Sequence, residues 1–128
     1  MLLRRGIDPR PLELTSETVS ISTEETFDRD IADPEQLKDE VRRMAERVAE
    51  RLAKGGQTAR TVTTKVRYPD FSIRSRSTSL AVGTGDPERI WELACGCLDR
   101  ALADRPGALR LLGVAVSGLE AHRQLELV

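Results

Sequence analysis

The sequence predicts an α+β fold of order β-α-β-β-α-β, with both helices on the same side of a sheet. Three observations carry this. The 128 residues fit one compact domain. Two amphipathic stretches each open on Asp-Pro-Glu, at Asp33 and at Asp86. The intervening and flanking segments are rich in β-branched residues with a two-residue alternation. Two helices with one apolar stripe each need the same apolar sheet face, so the other face is left to solvent or a ligand.

Residues 1–16, with Pro9, Pro11 and scattered charge, read as an extended linker. The stretch from Glu17 to Phe27 reads as the first strand, with Val19 and Ile21 on one face. Asp33 caps the first helix, Pro34 takes its first position and Gln36 completes a capping box. Its buried stripe is Leu37, Val41, Met44, Val48 and Leu52, and Gly55-Gly56 ends it. The mixed charges of its outer face, Lys38 to Arg51, suit solvent.

From Thr58 to Tyr68 the chain alternates strictly. Val62, Thr64, Val66 and Tyr68 share one face; Thr61, Thr63, Lys65 and Arg67 share the other. Pro69-Asp70 makes a turn, and Phe71 to Leu80 returns antiparallel. Apolar Phe71 and Ile73 are expected inward, with Ser72, Arg74, Arg76 and Thr78 outward. The second helix buries Ile90, Ala94, Cys97, Leu98 and Ala101, and Arg105-Pro106-Gly107 stops it. Leu109 to Leu119 is the last strand and residues 121–128 a tail, which leaves 17–120 as the domain.

Composition excludes several function classes. Aromatic residues are 3% of the chain, so the core is aliphatic and a nucleic-acid surface of stacked aromatic platforms is disfavoured. No apolar run is long enough to span a bilayer, and Met1-Leu2-Leu3-Arg4-Arg5 is too short for a signal peptide, so a soluble cytoplasmic protein without membrane contact is expected. Cys95 and Cys97 stand two apart on a helix, facing apart, and read as ordinary reduced thiols. His122 has no nucleophile beside it and reads as a surface residue. Asp28 and Asp30 alternate at a strand end as a metal pair would, but read as solvated carboxylates. Gly83-Thr84-Gly85 lacks the Lys-Ser/Thr of a phosphate loop. No catalytic or metal-ligating residue is assigned.

Charge is more informative. Net charge is −1, yet residues 58–80 carry Arg60, Lys65, Arg67, Arg74 and Arg76 against Asp70 alone. Cations interleaved with Ser and Thr suit a phosphate backbone: charge supplies the Coulomb attraction and hydroxyls the hydrogen bonds. With few Asn or Gln in the hairpin, binding is expected to be independent of base sequence. The alternative is an α+β protein-interaction module whose charged hairpin only prevents edge-to-edge aggregation.

Five segments in order resemble one known family. They are Gly6 to Pro11, Ser20 to Phe27, Arg60 to Phe71, Arg74 to Leu80, and Leu109 to Leu119. Together they resemble the little finger, the C-terminal DNA-binding domain of Y-family translesion DNA polymerases, of the bacterial DNA polymerase IV type. The resemblance implies a four-stranded antiparallel sheet with two helices on one face and an open basic face. That face would grip primer-template duplex DNA in the major groove, through Ser20, Thr26, Thr63, Lys65, Arg67, Arg74, Arg76 and Arg110. Thr23, Glu25, Thr78, Leu111 and Ala115 depart from basic residues found in relatives. The tail Gln124-Leu125-Glu126-Leu127-Val128 resembles a sliding-clamp motif, with Gln124, Leu125 and Leu127 as anchors and Val128 in place of an aromatic. The resemblance further implies no cofactor in this domain. Mg2+ would sit in the palm of a parent polymerase of which this chain is an inert fragment, cytoplasmic and associated with the nucleoid.

Overall fold

The computed structural model describes residues 20–121. The expected linker 1–16, the start of the first strand at Glu17 and Val19, His122 and the tail residues Gln124, Leu125 and Leu127 lie outside them. The elements follow the predicted order: β1 (Ser20–Ile31), α1 (Pro34–Lys54), β2 (Gln57–Arg67), β3 (Ile73–Thr84), α2 (Pro87–Asp104) and β4 (Leu109–Ala121). The strands form one antiparallel sheet in the order β1-β4-β2-β3.

Both helices begin as their sequences dictate. The Asp33 carboxylate accepts the Glu35 N–H at 3.2 Å, and the Asp86 carboxylate accepts the Glu88 N–H at 3.1 Å. Each is followed by Pro, whose missing N–H costs nothing at the first helical position. Their stripes pack on one sheet face. Leu37, Val41, Met44, Val48 and Leu52 of α1 and Ile90, Ala94, Cys97, Leu98 and Ala101 of α2 are all buried. Val62, Val66 and Tyr68 from the β2 side and Leu109, Leu112, Val114 and Val116 of β4 meet them. Thr64 is the one buried polar residue of this core among the described residues. It is satisfied, because its hydroxyl donates to the Ala94 carbonyl of α2 at 2.9 Å.

The predicted faces of β2 hold, but those of β3 do not. Arg67 pairs with Ile73, Val66 with Arg74, Thr64 with Arg76 and Val62 with Thr78. Cross-strand partners share a face. Arg74, Arg76 and Thr78 therefore stand on the helix side, with Ser75, Ser77 and Ser79 on the open side. The expected inward residues are correspondingly out: Phe71 is 67% exposed and Ile73 45%. Hydrophobicity misassigned the strand because β3 is an edge, only partly covered by α2. Its helix-side positions are satisfied by polar partners instead of a core. Arg76 pairs with Asp104 at 2.5 Å, and the Arg100 guanidinium donates to the Ser77 carbonyl and the Thr78 hydroxyl.

The turn that sets this register is held from outside. Phe71 has φ of 71°, a left-handed conformation that a bulky residue adopts only when its surroundings impose it. Here the Tyr68 N–H donates to the Ser72 carbonyl at 2.9 Å and the Phe71 N–H to the Tyr68 carbonyl at 2.8 Å. The Asp70 carboxylate accepts from the Ser72 N–H and hydroxyl. Arg105, just past α2, closes the cluster. Its guanidinium bonds the Asp70 carboxylate at 3.1 Å and the Ser72 hydroxyl, and lies over the Tyr68 ring, 4.0 Å from the centroid. The Tyr68 hydroxyl donates back to the Arg105 carbonyl at 2.6 Å. The Ser72 hydrogen bonds, then Arg105, hold the Asp70 carboxyl well below its ordinary value, at about 2, while burial pushes the Tyr68 phenol up.

Thr64→Val keeps the shape of the buried side chain and removes its one hydrogen bond. It should cost about 1 kcal/mol, measured as a lower urea midpoint at unchanged m-value. Asp70→Asn should lower the melting temperature at neutral pH. Because the folded-state pKa is depressed, the stability supplied by Asp70 is present above the unfolded carboxylate's pKa and is lost as pH falls through about 2. The gap between the wild-type and Asp70→Asn melting temperatures should therefore close on acidification over that range.

Candidate nucleic-acid interface

The sheet face away from the helices is built in rows by the register of the four strands. One row runs Ser20, Ser117, Thr61, Ser79, and the next Ser22, Ala115, Thr63, Ser77. The third is Glu24, Gly113, Lys65, Ser75, and the fourth Thr26, Leu111, Arg67, Ile73. Across the first two rows the hydroxyls bond in pairs, Thr61 to Ser79 at 2.9 Å and Thr63 to Ser77 at 2.7 Å. The face is thus hydroxylated, with its few large side chains gathered at one end.

This differs from the basic face expected from the hairpin. Ser20, Thr26, Thr63, Lys65 and Arg67 are brought together on the open side. Arg74 and Arg76 are on the opposite side, for the register reason given above. Lys65 is in an ion pair with Glu24. Arg110 bonds Asp30 at 2.8 Å and lies 5.8 Å from the Phe71 ring centroid. Arg67 has no carboxylate partner among the described residues, and its Nε is buried without a hydrogen-bond partner. Lys65, by contrast, is already paired with Glu24. Ser22, Ser75, Ser77, Ser79, Gly113, Ala115 and Ser117 belong to the face and were not singled out from the sequence. For Ser75, Ser77 and Ser79 the signal was present in the alternate positions of Ser75-Arg76-Ser77-Thr78-Ser79, read at the wrong phase.

Other chemistry is sparse. The pair Asp28 and Asp30 does not form a cation site, since Arg110 takes Asp30. No group of three or more His, Cys, Asp or Glu converges among the described residues. Cys97 is buried, and burial pushes the Cys95 thiol up to about 11, which removes it as a nucleophile near neutral pH. No described helix is long and apolar enough to cross a membrane.

Comparison with known proteins gives a consistent set. The model of the impB/mucB/samB family C-terminal domain matches residues 18–127. The chain is 43% identical over 120 residues to a DNA polymerase IV of Streptomyces coelicolor, covering 94% of this chain and 25% of that protein. It is 41% identical over 117 residues to one of Opitutus terrae, covering 90% and 29%. It therefore spans between a quarter and a third of the length of these relatives. Among solved structures, an insertion ternary complex of Dbh DNA polymerase superposes with a TM-score of 0.72 at 12% identity, over 80% of this chain and 29% of that one. The little finger domain of PolIV, solved with the β-clamp processivity factor, superposes at 0.66 and 18% identity, over 86% of this chain and 97% of that one.

Proposed function

The chain belongs to the impB/mucB/samB family as a C-terminal domain, and from that premise we propose that it is the little finger of a Y-family translesion polymerase, binding primer-template duplex through its open sheet face. The observation that carries this reading is the face itself: four strands, uncovered by either helix, presenting rows of Ser, Thr, Gly and Ala. Strands spaced ~4.8 Å apart make such a sheet ~14 Å across, comparable to the ~12 Å width of a B-form major groove. Small side chains let the backbone approach closely, and hydroxyls both donate and accept. Arg67 adds a charge with no carboxylate partner among the described residues. None of the residues in the four rows is Asn or Gln, the types that read adenine by paired hydrogen bonds. With Lys65 and Arg67 serving phosphates, the contact is with the backbone and independent of sequence.

On this reading the domain supplies grip to a catalytic palm elsewhere in a longer protein, where the Mg2+ belongs, and it works at the nucleoid. Its second partner is a sliding clamp, reached by Gln124, Leu125 and Leu127. The support is the tail's resemblance to a clamp motif, and a protein of this fold has been solved with a clamp.

Two experiments test the reading. Titration of short duplexes of unrelated sequence, across a salt series, should show binding that falls steeply with salt. Arg67→Ala should weaken it by about 1–2 kcal/mol on every sequence. Arg76→Ala should cost less, since Asp104 already holds that side chain on the helix side. A protein-interaction module would show no saturable, salt-dependent binding. For the tail, a chain truncated after Arg123 should lose clamp binding. Val128→Phe should tighten it by about tenfold, or ~1.4 kcal/mol, because Phe buries more apolar area than Val.

A further inference from the structure

At the middle of the open face lies a shallow hollow of about 280 Å³. Its floor is Gly113, and its rim includes the hydroxyl residues Ser22, Thr63 and Ser75. Glu24 on β1 and Lys65 on β2 flank it, both in register with Gly113 on the intervening β4. Their backbones are therefore two strand spacings apart, ~9.6 Å, and the ion pair is made across the top of the middle strand. The absence of a side chain at Gly113 permits this. A Cβ there would stand 3.0 Å from Glu24 Cγ, so even alanine would push the carboxylate arm aside by a few tenths of an ångström. Glu24 and Lys65 are 46% and 37% exposed, so water screens the pair and it opens at little cost. A cation ringed by hydroxyls, with an anionic group already resting on it, has the composition of a phosphate site.

We propose that this notch is a phosphodiester-binding subsite which Glu24 fills as an internal counter-ion, and that a backbone phosphate of the duplex displaces the carboxylate from Lys65. The proposal rests on the duplex-binding reading above and adds to it a specific exchange. Glu24 weakens non-specific association by occupying the site, and each binding event must break the Glu24–Lys65 pair. The hollow is roomy enough for the exchange, since it exceeds the ~30 Å³ share of one water several times over. Glu25, the next residue, pairs with Leu112 on the helix-side face and takes no part.

The test is a titration of a short labelled duplex with the whole chain across a salt series. It compares the wild type with Glu24→Gln, Glu25→Gln, Lys65→Gln and the double variant Glu24→Gln/Lys65→Gln. Glu24→Gln is nearly isosteric and should melt as the wild type does. It should tighten binding by up to about eightfold near ~0.1 M salt and steepen the slope of log K against log salt by about 0.9, the contribution of one phosphate. Glu25→Gln should give a markedly smaller gain. In the Lys65→Gln background the effect of Glu24→Gln should disappear. Equal gains from the two glutamate variants, or a gain that survives without Lys65, would reduce the effect to net charge and overturn the subsite. If the wild type binds and Glu24→Gln changes neither affinity nor slope, the subsite falls while the duplex-binding reading stands. If neither the wild type nor any variant binds duplex, that reading fails and the subsite with it.

Discussion

Arg105 holds together a turn that decides the orientation of a whole strand. Its guanidinium binds Asp70 and Ser72 and stacks on Tyr68, while its carbonyl accepts the Tyr68 hydroxyl. These contacts tie the connection between β2 and β3 to the C-terminal end of α2. They hold Phe71 in a left-handed conformation that costs of order 1–2 kcal/mol on its own. With the connection held in this form, Arg67 faces Ile73, and each residue of β3 as far as Ser79 inherits its side from that one pairing; beyond it the register shifts. A slip of a single residue would put Arg74 and Arg76 on the open face in place of Ser75 and Ser77. The chemistry of the candidate interface therefore depends on an arginine that is not part of it.

The result is a sheet with two unlike surfaces. Beneath the helices it is aliphatic, with Thr64 anchored to α2 as the buried polar exception among the described residues. On the open side it is small and hydroxylated. Across the rows of Ser20 and Ser22 the surface can approach another molecule closely, with no side chain larger than Thr, and it can hydrogen-bond in either sense. Close approach and adaptable hydrogen bonding favour a repetitive polar partner over one with a particular sequence.

Charge is balanced locally in a way that the total conceals. The hairpin's excess of cations is met by carboxylates brought from distant parts of the chain: Glu24 to Lys65, Asp104 to Arg76, and Glu120 to Arg60 at 3.9 Å. Asp30 likewise meets Arg110. Exposed pairs of this kind add little to stability. Their larger effect is on the field at the surface, which is weaker than a count of basic residues between 58 and 80 suggests. On the proposed reading, affinity for a polyanion comes from Arg67, which has no carboxylate partner among the described residues, from the hydroxyl rows, and from exchanging an internal carboxylate for an external phosphate.

Much of this was legible in the sequence because it is governed by local rules. The capping residues Asp33 and Asp86 placed both helices. The 3.6-residue stripes named the large buried residues of both helices but not Ala45 and Ala49, and the strict alternation from Val62 to Tyr68 assigned both faces of β2. Those features depend on neighbours within a few positions, and one face of each was pressed against a core. The motif resemblance pointed to the same fold. What the tertiary structure alone decided was non-local. The strand order β1-β4-β2-β3 left β3 at an edge, where burial no longer selects apolar residues, so Phe71 and Ile73 face solvent. The turn held by Arg105, 35 residues from Asp70 along the chain, set the phase of the arginines. Glu24, Gly113 and Lys65 became neighbours only through the pairing of three strands, a juxtaposition that no periodicity in one dimension encodes.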